Sequence, residues 1–186
     1  MDYRGGTVVS RIAYRLMVLE YAVQDFLVRG HERALDGFGI VPGATAVDYG
    51  CGPGRYLAKA SRLVGPSGRV YAADINPVAL ELAAARVARL GLANVTVVPI
   101  RAGRCGIADA AADLVFALDM FHAVRDPAAF LAEIRRFTKP GGTLILEDGH
   151  QSRSETRRKV LGAGGWRIES ETRAHLLCVR ARAAGR

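Results

Sequence analysis

The sequence predicts an α/β fold, a mostly parallel sheet with helices on both faces that ends in an antiparallel hairpin. Three observations carry this. From Ile40 onward, short β-branched runs alternate with amphipathic helical patterns. The first run leads through Gly50-Cys51-Gly52-Pro53-Gly54 into a helical pattern, setting three glycines on a strand-to-helix turn. The second run carries an acid, Asp74, at its tip. Glycines suit such a turn because only a backbone without side chains folds so tightly and lets a ligand press against it.

The elements follow in order. Residues 1 to 9 are polar and glycine-containing and read as an arm. Ile12, Leu16, Leu19, Val23, Phe26 and Leu27 recur at helical spacing, giving an amphipathic helix that ends near Gly30. It either packs on the sheet or covers the substrate mouth with Tyr14 or Tyr21. Residues 1–37 thus form an N-terminal arm and helix, and 38–186 the main domain. Strand one is Thr45 to Tyr49, followed by a helix from Pro53, and strand two runs Arg69 to Asp74 after the Gly65-Pro66-Ser67-Gly68 turn. Asn76-Pro77 caps the next helix and Gly91 closes it. Strand three is Val95 to Ile100, a loop covers Arg101 to Ala112, and strand four is Leu114 to Leu118. Asp126-Pro127 repeats the capping device for a helix with Phe130, Leu131, Ile134 and Phe137 inward. Lys139-Pro140-Gly141-Gly142 is a sharp stop before strand five, Thr143 to Glu147. A charged helix (Ser152 to Leu161) precedes a hairpin of Trp166 to Glu171 and Ala174 to Val179.

Composition narrows the class. The chain has 186 residues, half of them hydrophobic, which fits one domain with a full core. Three cysteines without a CxxC pair argue for neither a disulfide framework nor a zinc site, and a reducing cytoplasm fits. Residues 1 to 11 hold no apolar core, so no secretory leader is expected. Arg15, Glu20, Gln24 and Asp25 interrupt Ile12 to Val28, so no membrane span is expected there. The net charge of +8 invites a nucleic-acid partner, but the basic residues are dispersed and almost all arginine, a pattern that genome base composition also produces. Nucleic acid is not favoured.

The turn and the acid together indicate a nucleoside ligand. A carboxylate at the tip of strand two can accept both ribose hydroxyls of an adenosine moiety. The dinucleotide fingerprint needs another glycine three residues past Gly52, and that position is Arg55, which argues against NAD. With the acidic entry at Asp48, the D-x-G-x-G-x-G motif and Asp74 at its spacing, the chain resembles the class I S-adenosylmethionine (SAM) dependent methyltransferases. More narrowly, it is similar to small stand-alone relatives of the ubiquinone/menaquinone-biosynthesis methyltransferases, over residues 38 to 181.

That resemblance implies a Rossmann-like, seven-stranded sheet with SAM as cofactor and S-adenosylhomocysteine (SAH) as product. It places Gly50, Cys51, Gly52 and Gly54 in the loop under the methionine and ribose. Asp48 would hold the methionine ammonium, directly or through water. Asp74 would take the ribose hydroxyls, Ile75 pack on adenine and Asp119 close the opposite wall. Many relatives bond the adenine amine with an aspartate after strand three. Here Arg101 and Ala102 stand there, so backbone groups or a stacked Arg101 would hold the base.

His122 is the first candidate for a general base, since it follows strand four on the wall facing the acceptor and has a pKa suited to proton transfer at neutral pH. The alternative is a histidine that packs the loop. His150, after strand five, is the second candidate, with Asp148 beside it to orient it or touch substrate. Neither stands in a metal-ligand motif. Leu118-Asp119-Met120-Phe121 replaces the N-P-P-Y of adenine and glutamine-amide methylation. The proline-cysteine nucleophile of cytosine enzymes and the cysteine set of arsenite enzymes are missing. A small-molecule acceptor is therefore expected. An RNA- or protein-directed enzyme and a non-catalytic SAM-binding subunit remain alternatives, and the sequence does not specify an oligomeric state.

Overall fold

The computed structural model describes residues 31–181, so the arm and amphipathic helix expected before them lie outside the described residues. A 3-10 helix (His31–Gly37) leads into β1 (Thr45–Tyr49), α1 (Leu57–Val64), β2 (Arg69–Asp74), α2 (Pro77–Leu90) and β3 (Val95–Arg101). Next come the two-residue β4 (Arg104–Cys105), β5 (Ala112–Ala117), a 3-10 turn (Phe121–Ala123), α3 (Pro127–Phe137) and β6 (Thr138–Glu147). The remaining elements are α4 (Arg153–Ala163), β7 (Trp166–Glu171) and β8 (His175–Arg180).

The sheet order is β4-β3-β2-β1-β5-β6-β8-β7. β1 pairs in parallel with both β2 and β5, so the chain reverses its winding direction around β1. In open α/β sheets the ligand crevice lies at such a point, beyond the carboxyl ends of the strands. Both faces are covered. Along β5, Val115 and Ala117 pack with Leu131, Ile134 and Phe137 on one side, while Leu114 and Phe116 pack with Leu57, Ala60 and Val64 on the other. A strand buried on both faces reads as a continuous apolar run, as Leu114 to Leu118 does.

The two expected caps form: the Asn76 Oδ1 accepts the Val78 amide at 3.0 Å and the Asp126 Oδ1 accepts the Ala129 amide at 2.9 Å. Ser152, expected as the first residue of its helix, is instead that helix's cap, its Oγ accepting the Glu155 amide at 3.2 Å. Gly91 closes α2 in the left-handed conformation, at φ 62°.

Several boundaries differ from expectation. The stretch 101–112 is not all loop: Ala102 (φ 48°) and Gly103 (φ 77°) make a two-residue turn that pairs Arg101 with Arg104. This β4 brings the strand count to eight. Lys139 to Gly142 does not stop the sheet, because Thr138 already pairs with Ala112 and a register shift absorbs the Pro-Gly step. On α3, Glu133 is buried alongside Leu131, Ile134 and Phe137, while Phe130 is only half-buried. Arg136 (2.7 and 2.9 Å) and the Cys105 amide (2.9 Å) satisfy the Glu133 carboxylate.

Candidate functional site

β1 and β2 end side by side, with Tyr49 opposite Ala73. The chain then turns sharply, and the Gly50 and Cys51 amides both donate to the Ala73 carbonyl, at 2.7 and 3.0 Å. Gly50, Gly52 and Gly54 have φ of 86°, 53° and 81°, a region that strains side-chain-bearing residues. A Cβ on Gly50 would stand 3.0 Å from Met120 Cγ, and one on Gly54 would stand 2.6 Å from Leu57 Cδ1. Conformation favours glycine at both positions, and a side chain at Gly54 would also displace Leu57.

Asp74 is buried at the tip of β2 and clamps this turn. Its Oδ2 accepts the Gly52 amide at 2.9 Å and its Oδ1 accepts the Asn76 amide at 2.8 Å. Each carboxylate oxygen has a second lone pair, so capacity remains for ligand hydroxyls. Asp48, on β1, is 2% exposed, and its Oδ2 is buried without a hydrogen-bond partner. Burial first, and the neighbouring Asp74 second, hold the Asp48 carboxyl well above the usual carboxylate range. An unsatisfied buried acceptor costs roughly 1–3 kcal/mol, more when charged. A cationic N–H donor such as a methionine ammonium would remove that cost, so the residues present fit SAM. Cys51 is buried in the same loop, and burial pushes its thiol up, as expected of an inert cysteine.

Beside the turn lies a cleft of ≈ 210 Å³, walled by Tyr49, Ile75, Ile100, Met120, Val124 and Phe130. Its size and apolar walls suit a nucleobase, and Ile75 is one of those walls. Arg101 and Ala102 are exposed in the β3–β4 hairpin, and neither lines the cleft.

The rim continues past β5. Asp119 is exposed, at φ 50°, and its amide donates to Glu147 Oε2 at 3.1 Å, which ties the tips of β5 and β6 together. His122, on the 3-10 turn, packs against Gly149, where a Cβ would collide with its Nδ1. That Nδ1 is buried and has no hydrogen-bond partner. The His150 ring stands edge-on to the His122 ring, centroids 4.8 Å apart. Burial lowers the His122 pKa below the usual histidine value, His150 and Lys159 lower it further, and Asp119 opposes them. His150 itself is exposed. Asp148 does not orient His150: both its oxygens accept from Arg153 Nε, at 2.9 and 2.8 Å, and Arg153 NH1 also donates to the Thr172 carbonyl at 2.9 Å.

Two further titratable groups at this rim, Glu147 and Tyr56, were not singled out from the sequence. Burial raises the Glu147 pKa, and burial followed by Glu147 raises that of Tyr56, at the start of α1. Glu147 carried a signal, since it is a third strand-tip acid after Asp48 and Asp74.

A family model described as a methyltransferase domain matches residues 40–174. The chain belongs to the class I SAM-dependent methyltransferases. It is 34% identical over 113 residues to the ubiquinone/menaquinone biosynthesis C-methyltransferase UbiE of Klebsiella pneumoniae, covering 60% of this chain and 45% of that protein. It is 36% identical over 112 residues to an uncharacterised 37.1 kDa protein in transposon TN4556 of Streptomyces fradiae, covering 60% of this chain and 32% of that one. This methyltransferase thus spans less than half the length of these two curated relatives. A crystal structure of a SAM-dependent methyltransferase from Aquifex aeolicus superposes with a TM-score of 0.75 at 28% identity, covering 79% of this chain and 87% of the other. The cofactor of the family, and of this methyltransferase domain, is SAM.

Proposed function

We propose that this chain catalyses methyl transfer from SAM to a small-molecule acceptor, with His122 taking the acceptor's proton. SAM supplies a methyl group already activated on a sulfonium. What remains for the protein is to bind, orient and remove a proton. In this reading Asp48 takes the methionine ammonium, the turn 50–54 supports the methionine and ribose, Asp74 takes the ribose hydroxyls, and Asp119 walls the site.

The observation that carries the reading is the histidine at the rim. Burial, against the opposing Asp119 and with the adjacent His150, biases His122 toward the neutral form, the state a proton acceptor needs. The role requires the ring proton on Nδ1 and the lone pair on Nε2. His150 is the nearby second candidate.

The arginines support a small acceptor over RNA. Among the described residues Arg136, Arg153, Arg157, Arg158 and Arg167 are each paired with a carboxylate, so part of the basic charge is locally neutralised. The quinone-pathway names of the curated relatives favour a lipophilic acceptor. Three buried free cysteines agree with the reducing cytoplasm, and residues 1–37 are read as an accessory to the domain 38–186. The test is transfer of labelled methyl from SAM to panels of hydroxylated, amino and quinol compounds and to tRNA and rRNA, at low and high salt. Label in a small molecule, insensitive to salt, is the expected result. Label confined to RNA and falling steeply with salt would overturn the proposal.

A further inference from the structure

We infer that Asp126, the cap of α3, is the acceptor that reads the exocyclic amine of adenine in this protein. The inference rests on the SAM-binding reading of the crevice and adds a specificity-determining residue to it. The β3 loop offers no side-chain acceptor: Arg101 can only donate, Ala102 has no polar side-chain atom, and both are exposed in the hairpin and outside the lining of the cleft. The hairpin reaches the cleft through Gly103, which has no side chain to contribute. An amine enclosed among Ile75, Ile100, Met120 and Phe130 would still need its N–H groups satisfied, and leaving one bare costs at least about tenfold in affinity.

Asp126 lines the same cleft and is its only carboxylate among the lining residues. Arg125, beside it, is a donor and cannot substitute. The position of Asp126 is set in advance. Its Oδ1 accepts the Ala129 amide at 2.9 Å, and Pro127 fixes the first turn of the helix. That bond holds the side chain in one orientation and leaves Oδ2 for a ligand. The capping motif thereby has a second use, and the acid absent from the β3 loop is replaced from the far wall of the cleft.

The substitution Asp126→Asn separates the two roles. Asparagine caps helices as well as aspartate does, so α3 is preserved. With its oxygen committed to the Ala129 amide, its NH2 group would face the base. It would then repel an amine and donate to a carbonyl. The experiment measures SAH and S-inosylhomocysteine, in which a carbonyl replaces the amine, by calorimetry on the full chain, with thermal unfolding of the ligand-free protein alongside. The wild type should prefer SAH by about tenfold or more. Asp126→Asn should unfold at an unchanged temperature, lose about tenfold for SAH and shift its preference toward the inosine analogue. Asp126→Ser, which also caps, should lose SAH affinity without gaining for the analogue, and it decides the matter if the asparagine variant unfolds early. An unchanged preference in both variants, with SAH still bound by the wild type, overturns this inference alone. A wild type that binds neither ligand overturns the cofactor reading and this inference with it.

Discussion

Asp74 accepts the Gly52 amide at 2.9 Å, so the acid at the tip of β2 holds the glycine turn at the tip of β1. One carboxylate thus shapes the crevice before any ligand arrives. Asp74→Ala should therefore lower stability as well as SAH affinity. Hydrogen bonds to a charged group contribute about 1.5–3 kcal/mol each, and the Gly52 and Asn76 amides would both lose their acceptor. Denaturant unfolding of the ligand-free variant should show a loss of about 3–6 kcal/mol. Unchanged stability with weakened binding would mean the clamp contributes nothing to the fold.

Gly54→Ala should be poorly tolerated. The residue has φ 81°, and the added Cβ would meet Leu57 Cδ1 at 2.6 Å. The left-handed backbone alone costs about 1–2 kcal/mol for a residue with a Cβ. The variant should unfold at lower temperature and lose measurable SAH binding. Wild-type affinity would show that the turn can rearrange freely.

Cofactor binding should be linked to a proton on Asp48. In the folded protein its carboxyl titrates above the usual value, so the folded state holds the proton more tightly than the unfolded chain. The stability from that protonation is complete below the unfolded value, about 3.9, and is lost as pH rises through the raised one. A ligand ammonium favours the ionised form, so SAH affinity should rise with pH across the same window, with proton release visible when calorimetry is repeated in different buffers. Asp48→Asn should abolish the pH dependence and weaken SAH binding at least about tenfold, without lowering the stability of the ligand-free protein. A pH-independent affinity in the wild type would remove Asp48 from the ammonium site.

If His122 is the base, turnover should rise with pH through a group titrating below the ordinary histidine value of about 6.5, because burial depresses it. His122→Ala should lower turnover about a hundredfold, erase that limb and leave SAH affinity unchanged. The same depressed pKa means that the unfolded chain takes up the proton first. His122's contribution to stability should accordingly be present above about 6.5 and fall as pH drops toward the folded value. A variant that keeps the pH limb would reduce His122 to a packing residue against Gly149.

Much of the fold was legible in the sequence because its signals are local. β1 and β2 have the expected bounds, since each is a short, mostly apolar run ended by a turn or a cap. The Asn76 and Asp126 caps depend on residues within three positions of their partners. What escaped depends on distant partners. β4 exists only because Ala102 accepts a positive φ that its side chain disfavours, and no alternation announces a two-residue strand. Burial of Glu133 is possible because Arg136 and the Cys105 amide surround it, and Cys105 lies 28 residues away in the chain. The candidate site divides the same way. Asp48, the glycine turn and Asp74 stand out as strand-tip features, whereas the Asp119–Glu147 tie and the place of Asp126 in the cleft arise only when separate strands and helices come together.

We read the crevice between Asp48, the glycine turn and Asp74 as the SAM site. Calorimetry with SAH and NAD on the wild type and on Gly52→Val tests it most directly. SAH should bind the wild type in one-to-one ratio, NAD should not bind, and the valine variant, with its β-branched side chain forced onto a φ of 53°, should bind neither. Tight NAD binding without SAH, or undiminished SAH binding by Gly52→Val, would contradict it.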